Sequence, residues 1–579
     1  MSKHSRLLLV ALAIIVIAGL IIIPMNFNRY GLYILSQWAV MTIAAMGLNL
    51  TLGYAGQVSL AQGAFVGIGA YGAAILTTHG WPLISALGLV IVICFIVGWL
   101  LGYPALRVQH HYLAFVTLAF STLMFLVFRN ESWLTNGIYG ISNIPRPEIF
   151  GFPTRKPLPF YYLCLGSLGL VTLAMWWLIR SPWGRAFMAL RENPIRAQSL
   201  GIDTRRYTLM AFAIGSALGG IAGVLYAPLT QYVDPVPFNL QLSLDLLMMV
   251  IVGGSGFMLG PFLGAMIAVL LPEWLRFLKQ VYLAVYGAAV ILIMVFLPEG
   301  IWGYLAARWR RIRPAPEAAP PLPLLGRRGE STEEVVLETV GLAKHFGGLR
   351  ALDGVDLAVR RGTVHALIGP NGSGKSTLIN VVTGLYRATA GRVVLLGRDV
   401  TALPPHRRAA LGLARTFQNI RLFRGLSVLD NVVVGAERPG AGITGEEAVQ
   451  ARALAALDVV GLRADAYRLV GELSYGHQRY VEIARALAGE PAVLLLDEPA
   501  AGLNSAEKVE LGHLLRRLKG HGLTILIVDH DMALVEQVAD RITVLNFGRR
   551  IADGTARETL AHPDVVAAYL GEPRRDEAA

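Results

Sequence analysis

Gly369-Pro370-Asn371-Gly372-Ser373-Gly374-Lys375-Ser376-Thr377 is the stretch that decides how this chain reads. It meets every fixed position of the pattern G-x-x-x-x-G-K-[ST]. Thr363 to Ile368 ahead of it reads as a buried strand, and Leu378-Ile379-Asn380-Val381-Val382 behind it continues as a helix. Glycines let the backbone wrap closely, so successive N–H groups and a helix N-terminus face phosphate oxygens. Lys375 is then placed for the β- and γ-phosphates and the Ser376 hydroxyl for Mg²⁺. A chance Gly-rich turn does not explain strand, loop and helix in this order. The stretch predicts a site for a nucleoside triphosphate.

Working outward, the chain from Val335 alternates strand-like and helical runs, the pattern of an α/β fold with a largely parallel sheet. Val493-Leu494-Leu495-Leu496 and Leu523-Thr524-Ile525-Leu526-Ile527-Val528 are continuous apolar runs, as expected of strands covered on both faces. The first ends in Asp497-Glu498-Pro499 and the second in Asp529-His530-Asp531. Ligands of open parallel sheets bind outside the strand C-termini, so these residues are expected to converge on the phosphates. Asp497 is assigned to Mg²⁺ through water, and Glu498 to polarising the attacking water. His530 is assigned to the γ-phosphate. Gln418, in Ala414-Arg415-Thr416-Phe417-Gln418, is expected to reach metal or water from a mobile loop. Acids also cap helices and isolated histidines rarely catalyse; the joint order of these groups is what favours the chemical reading.

The first half is of another kind. Of 579 residues, 54% are hydrophobic and only 16% charged, against about 25% charged in ordinary soluble proteins, so much of the chain is expected in lipid. The net charge of +12 raises nucleic acid as a partner. Basic residues cluster beside apolar segments, however, which fits the positive-inside bias of a membrane protein better. Cys94 and Cys164 lie in apolar runs, so packing is expected of them and not a disulfide framework. Lys3, His4 and Arg6 precede an apolar run from Leu7 to Ile23 that is too long for a signal peptide and lacks a small-residue cleavage site. It reads as an uncleaved span. Further runs near 31–50, 57–78, 82–104, 112–128, 160–179, 207–228, 239–255, 257–275 and 280–298 bring the expectation to about ten transmembrane helices. An even count puts the basic segments near 3–6, 180–206 and 308–313 on one side, read as cytoplasmic. Arg129, Arg146, Arg155 and Lys156 in the outer loop 129–159 are an exception to that bias.

Glycines interrupt the apolar pattern at Gly53 to Gly63, with Gln57, Ser59 and Gln62 among them, and at Gly253-Gly254-Ser255-Gly256 with Gly260-Pro261. Paired interruptions can mark a transport path, although close helix packing by small residues is the reading favoured by residue type alone. Between two spans, Asn193 is expected to cap a short helix begun by Pro194 and stopped at Gly201, either a lever for a partner domain or a solvated loop helix. From Arg308 to Glu334, dense prolines predict a semi-extended linker. The expected organisation is a multi-domain chain: an all-α polytopic membrane domain over 1–307, a Pro/Arg-rich linker over 308–334, and an α/β ATP-binding domain over 335–579.

Leu473-Ser474-Tyr475-Gly476-His477-Gln478 resembles the signature motif of ABC transporter ATPases, and the order loop, Gln418, signature, Asp497-Glu498, His530 is that family's order. The resemblance covers 335–572 and implies that Phe346 stacks on adenine. It also implies that Ser474 and Gly476 contact the nucleotide of an opposing ATPase domain. Tyr475 and His477 depart from the glycine and glutamine most common there, and Asn504 stands where many relatives have aspartate. Phe346-Gly347-Gly348-Leu349, Ala500-Ala501-Gly502-Leu503-Asn504 and Ala567-Ala568-Tyr569-Leu570-Gly571 resemble the ATP-binding subunit of branched-chain amino acid importers. Gly53-Tyr54-Ala55-Gly56-Gln57 and Arg191-Glu192-Asn193-Pro194 through Gly201-Ile202 resemble a permease of the same importers. The chain therefore looks like a permease–ATPase fusion of the bacterial inner membrane. The resemblance implies that 184–202, with Glu192, Asn193, Ile195 and Gly201, acts as the coupling helix. It further implies ATP and Mg²⁺, a second permease and ATPase (a copy or a paralogue), and a soluble substrate-binding protein. The expected function is ATP-driven import of branched-chain or other hydrophobic amino acids, or related small solutes, across the cytoplasmic membrane. The alternatives are urea or short amides as cargo, an exporter, or a membrane ATPase that moves no solute.

Overall fold

The computed structural model describes residues 14–105, 110–149, 152–275, 277, 282–310, 333–437 and 445–570. Most of the expected linker and the first half of the Leu7–Ile23 run therefore lie outside the described residues. By its contacts the chain divides into two compact units. One comprises Met1–Arg191 with Thr204–Pro314, and the other Glu192–Asp203 with Ala315–Ala579.

The described part of the first unit is helical apart from two-residue pairings such as Ile141–Ser142 with Tyr232–Val233. Its principal helices are α1 (Arg29–Leu48), α2 (Gln62–Thr78), α3 (Leu83–Ala105), α4 (His110–Asn130), α5 (Pro157–Arg180) and α6 (Pro182–Glu192). After α7 (Pro194–Ser199), which belongs to the second unit, come α8 (Thr204–Thr230), α9 (Leu240–Gly253), α10 (Gly260–Trp274), α11 (Tyr282–Phe296) and α12 (Gly300–Arg310). Among the described residues, five apolar helices are long enough to cross a membrane: Arg29–Tyr54, Leu83–Pro104, Tyr112–Asn130, Pro157–Arg180 and Thr204–Thr230. Ile14–Asn26, Leu240–Gly253, Gly260–Trp274 and Val290–Ala306 are apolar but shorter. The runs expected over 239–255 and 257–275 are thus trimmed to 14 and 15 residues. Gly254 and Gly256 between them hold φ of 119° and 80°, which ends one helix and re-aims the chain into the next.

α8 is the hub, packed on α1, α2 and α3. Small residues allow that closeness: a Cβ on Gly223 would sit 2.0 Å from the Val66 carbonyl oxygen. The two glycine-rich interruptions singled out in the sequence meet here. Asn49 donates from Nδ2 to the Phe257 carbonyl at 2.9 Å and accepts from the Gly256 N–H at 2.9 Å. Gln62, 2% exposed, donates to the Ala44 and Gly215 carbonyls at 3.0 and 3.1 Å, tying the broken start of α2 to α1 and α8. From the end of α6, Arg191 donates to the Gly53 carbonyl. These polar side chains satisfy backbone groups that the helix breaks release inside an apolar bundle.

The second unit contains two sheets. One is six-stranded: β3 (Val364–Ile368), β6 (Leu413–Arg415), β7 (Val493–Asp497), β8 (Thr524–Val528), β9 (Arg541–Asn546) and β10 (Arg549–Gly554), in the order β6-β7-β8-β3-β9-β10. All neighbours are parallel except β9 and β10. The other is antiparallel: β1 (Val335–Phe346), β2 (Leu349–Arg360), β4 (Ala390–Leu395) and β5 (Arg398–Asp399), in the order β2-β1-β4-β5. The sequence reading expected a largely parallel sheet and did not separate this second one. The central strands are buried on both faces, which accounts for their unbroken apolar runs. Ala366, Leu494 and Ile527 point into one core, while Leu367, Leu495 and Leu526 point into the other. The helices after the linker are α13 (Lys375–Val382), α14 (Pro405–Ala410), α15 (Val428–Ala436), α16 (Glu446–Val459), α17 (Tyr475–Ala488), α18 (Ser505–Gly520), α19 (Met532–Val538), α20 (Ala556–Leu560) and α21 (Pro563–Leu570).

One polar residue in the middle of this sheet sets a pH dependence. His365 on β3 is 1% exposed and bonded through Nε2 to the Thr543 hydroxyl at 2.8 Å. Burial pushes its pKa down, with Asp553 pulling the other way. As pH falls below about 6.5 the unfolded chain takes up a proton there before the fold does, so stability declines with falling pH. Thermal midpoints of the full chain should fall on the acid side of about pH 6.5, and His365→Gln should reduce that fall. An unchanged slope in the variant would remove His365 as its source.

Candidate nucleotide site and coupling segment

The site is built where parallel strands end flush. Asp497 at the end of β7 is level with Val528 at the end of β8, and Val528 with Leu367 near the end of β3. The chain after each strand therefore emerges on the same edge: the 369–377 loop, Glu498, and Asp529-His530. Two glycines are required by that loop. Gly369 has φ of 150° and a Cβ there would lie 2.2 Å from the Leu545 carbonyl oxygen. Gly374, φ 105°, leads into α13, and its Cβ would lie 2.7 Å from the Ala351 carbonyl oxygen. Ser376 and Thr377 stand in the first turn of α13.

Lys375 curls over the loop, with Nζ donating to the Gly369 and Pro370 carbonyls at 2.7 and 2.8 Å. Burial pushes its pKa down, while Glu498 and Asp497 pull it up. Glu498 sits in the left-handed region, φ 47°, where a residue with a Cβ is rare outside strained sites. Its carboxylate accepts from Gln418 Nε2 at 2.8 Å and lies 3.7 Å from His530 Nδ1. Asp529 braces the same corner by accepting from the Ala500, His530 and Asp531 N–H groups at 3.0, 2.8 and 3.0 Å. Lys375, Gln418, Asp497, Glu498 and His530 are thus brought together on one edge.

Asp497 carries a bond that the sequence reading missed: Arg415 Nη2 donates to its Oδ2 at 2.8 Å, with both side chains under 10% exposed. Arg415 is in turn held by Asn380 Oδ1 at 2.7 Å. A second missed group is the triad Arg479–Glu482–Arg485 on α17, fully buried apart from a trace at Arg485. Arg479 donates from Nη1 and Nη2 to the carbonyls of Phe417 and Gln418, each at 2.7 Å, and so fixes the backbone that carries the Gln418 side chain. The signal for it was a spacing of three on one helix face.

Ser474, Gly476 and Phe346 are not gathered with that cluster. Ser474 caps α17, its Oγ accepting from the His477 N–H at 3.3 Å. Gly476 lies against Glu507, which forms a capping box with Asn504 at the start of α18. The departure at Tyr475 is accommodated by Gly502, where a Cβ would come within 2.7 Å of the tyrosine ring. Phe346 ends β1, 43% exposed, edge-on to Tyr386 at 5.4 Å with Lys344 over its ring.

Within the same unit, α7 forms as its residues predict: Asn193 Oδ1 accepts from the Arg196 N–H at 3.1 Å, Pro194 opens the helix, and Gly201 follows it at φ 93°. α7 packs on α14. Arg196 Nη1 donates to the Leu422 carbonyl at 3.3 Å and Glu192 accepts from the Gly425 N–H at 3.3 Å, a few residues beyond Gln418. Burial lowers the pKa of Arg196, and Arg485 and Arg421 lower it further. Ile195 is exposed.

Comparison with known proteins follows the same division. A family model described as the permease component of the branched-chain amino acid transport system matches residues 30–297, and one described as ABC transporter matches 352–501. The high-affinity branched-chain amino acid transport ATP-binding protein BraF of Pseudomonas aeruginosa is 42% identical over 251 residues, 41% of this chain and 98% of its own length. LivG of Escherichia coli K12, of the same description, is 41% identical with the same coverage. Among solved structures, a nucleotide-free ATP-binding cassette from an ABC transporter is 36% identical over 41% of this chain and all of its own, with a TM-score of 0.39.

Proposed function

Since the chain belongs to the branched-chain amino acid ABC transporters, with permease and ATP-hydrolysing cassette in one polypeptide, we propose that it imports branched-chain or other hydrophobic amino acids across the cytoplasmic membrane. In this reading 1–307 is the membrane domain, 308–334 a tether and 335–579 the cytoplasmic ATPase. The observation that carries it is the convergence of Lys375, Gln418 and Glu498 on one sheet edge, in the same compact unit as the 192–203 segment. The relatives cited are named for branched-chain amino acids, which favours that cargo over urea or short amides.

The 369–377 loop and the start of α13 cradle the phosphates, and Lys375 exchanges its two carbonyl partners for phosphate oxygens. Glu498, oriented by Gln418, takes the proton of the attacking water. His530 steadies the charge that develops on the γ-phosphate. The oxygen donors Ser376, Gln418 and Asp497 suit Mg²⁺, which keeps several waters and takes few protein ligands. In keeping with that, no group of three His, Cys, Asp or Glu side chains that could hold a metal gathers among the described residues. Bound there, Mg²⁺ would neutralise phosphate charge. Ser474 and Gly476 face the nucleotide of a second ATPase domain, and Phe346 the adenine. A second permease, a second ATPase and a soluble binding protein complete the assembly.

Movement of the 417–425 segment on nucleotide binding then pulls on α7 through Glu192 and Arg196. Replacing Glu192 with Ala or Ile195 with Asp should leave most ATP hydrolysis in place and reduce uptake of labelled leucine into sealed vesicles by tenfold or more, on the order of the roughly 1.4 kcal/mol that such a factor represents. Unchanged uptake at normal expression would remove the coupling role.

A further inference from the structure

Three of the four cations that broke the charge bias of the membrane half have a common destination. Arg146, Arg155 and Lys156, from the loop between α4 and α5, line one cavity of about 410 Å³ together with Arg29 at the start of α1. Its remaining wall comes from α1, the start of α5 and the end of α8, including the phenol of Tyr33. The cavity therefore lies at the end of the bundle opposite Arg180 and Thr204, where α5 ends and α8 begins. α5 has 24 residues, which at about 1.5 Å each is close to the thickness of a bilayer's hydrocarbon core. The opening is thus at headgroup level on the far face.

Four cations share this space with little to offset them. Arg155 pairs with Glu148 at 3.1 Å, both well exposed. Among the described residues, no carboxylate lies within ion-pair distance of Arg29, Arg146 or Lys156. Arg146 is held by a neutral carbonyl, that of Arg155 at 3.0 Å, and by the face of Phe160 at 5.2 Å, while its Nε is buried without a partner. Like charges gathered around a cavity repel one another, and an oxyanion entering it would remove that repulsion and supply the missing acceptor. A guanidinium's fork matches phosphate oxygens in particular.

We infer that this cavity is an oxyanion site on the far face of the membrane domain, taking the phosphate of an anionic phospholipid headgroup or a free phosphate of the same chemistry. That it faces outward rests on the proposed orientation of the transporter; that it binds phosphate does not.

The full chain would be reconstituted in vesicles of phosphatidylcholine containing phosphatidylglycerol, extracted, and weighed by native mass spectrometry for retained lipid. In parallel, inorganic phosphate would be titrated against the detergent-solubilised chain. A retained phosphatidylglycerol that falls about tenfold or more in R29Q/R146Q/K156Q supports the site with lipid as its source; juxtamembrane cations each contribute a factor of several to anionic-surface binding. Binding of free phosphate alone, lost in the same variant, supports the site with a small anion as its source. The charge-preserving R29K/R146K loses the fork and keeps the charge, so it should retain more phosphate or lipid than R29Q/R146Q/K156Q, which guards against misfolding as the explanation. Equal retention and equal phosphate binding in the parent and the charge-neutral variant would overturn the inference. So would equal loss on R205Q at the opposite end of α8. None of these readouts depends on transport, so an assembly that moved no amino acid would leave this result standing.

Discussion

Glu498→Gln should yield a protein that binds ATP as the parent does and hydrolyses it slower by about 10²–10⁴, the range that a positioned general base contributes. The substitution keeps the size of the side chain, so neither the left-handed turn at 498 nor the β7 edge is disturbed. It keeps an oxygen for Gln418 Nε2, now 2.8 Å away, to donate to. It leaves untouched the 369–377 loop and Lys375, the groups proposed to carry nucleotide affinity. What it removes is, among the described residues, the one negative charge within 4 Å of both Gln418 and His530. Binding of a fluorescent ATP analogue and phosphate release by the complete assembly would be measured side by side. Near-parental phosphate release would move the base elsewhere and break the assignment of the edge. Weakened binding with a proportional loss of rate would make Glu498 a structural brace of the loop.

How far the chain could be read before its coordinates depended on whether the physics was local. The 369–377 loop, the two apolar strands and the acids that follow them are short-range patterns, and each became the element expected. Asn193, Pro194 and Gly201 likewise carry their instructions within a few residues, and α7 formed between them. The antiparallel sheet was not separated although β1 and β2 join locally through Gly347-Gly348: register shifts break the alternation that would have marked the two strands, and β4 reaches β1 only by tertiary contact. Helices formed along most of the expected apolar runs, but against about ten expected spans five of the described helices are long enough to cross a bilayer, and glycines end others early, at 254–260 and before Gln62. Charges were the least legible. Arg415, Arg479, Glu482 and Arg485 are types that usually face water, and only the folded chain reveals that they are buried and paired.

That buried triad supports the second large effect. Burial pushes the pKa of Glu482 up and that of Arg485 down, so the three side chains tolerate their charges only together. Glu482→Gln leaves Arg479 and Arg485 without their shared counter-charge and should destabilise the domain by about 3–5 kcal/mol, as breaking a buried ion pair does. Removing charge in balance should behave differently: Arg479→Met with Glu482→Leu leaves a single cation, Arg485, still resting on the Phe423 ring at 5.2 Å. Part of the lost stability should return, because one uncompensated buried cation remains where Glu482→Gln leaves two that also repel each other. Turnover should not return with it. Arg479 also holds the carbonyls of Phe417 and Gln418 at 2.7 Å, and Met cannot replace those two donors. A side chain released by about 1 Å at a reacting centre can cost about 10²-fold in rate, so the double variant is expected to melt above Glu482→Gln yet hydrolyse ATP poorly. Melting by circular dichroism and phosphate release on the same samples would separate the two roles. A double variant with parental turnover would mean that Gln418 is held by something other than Arg479, and that the triad serves only the fold. A double variant as unstable as Glu482→Gln would mean that the remaining arginine, and not the missing carboxylate, is the costly group.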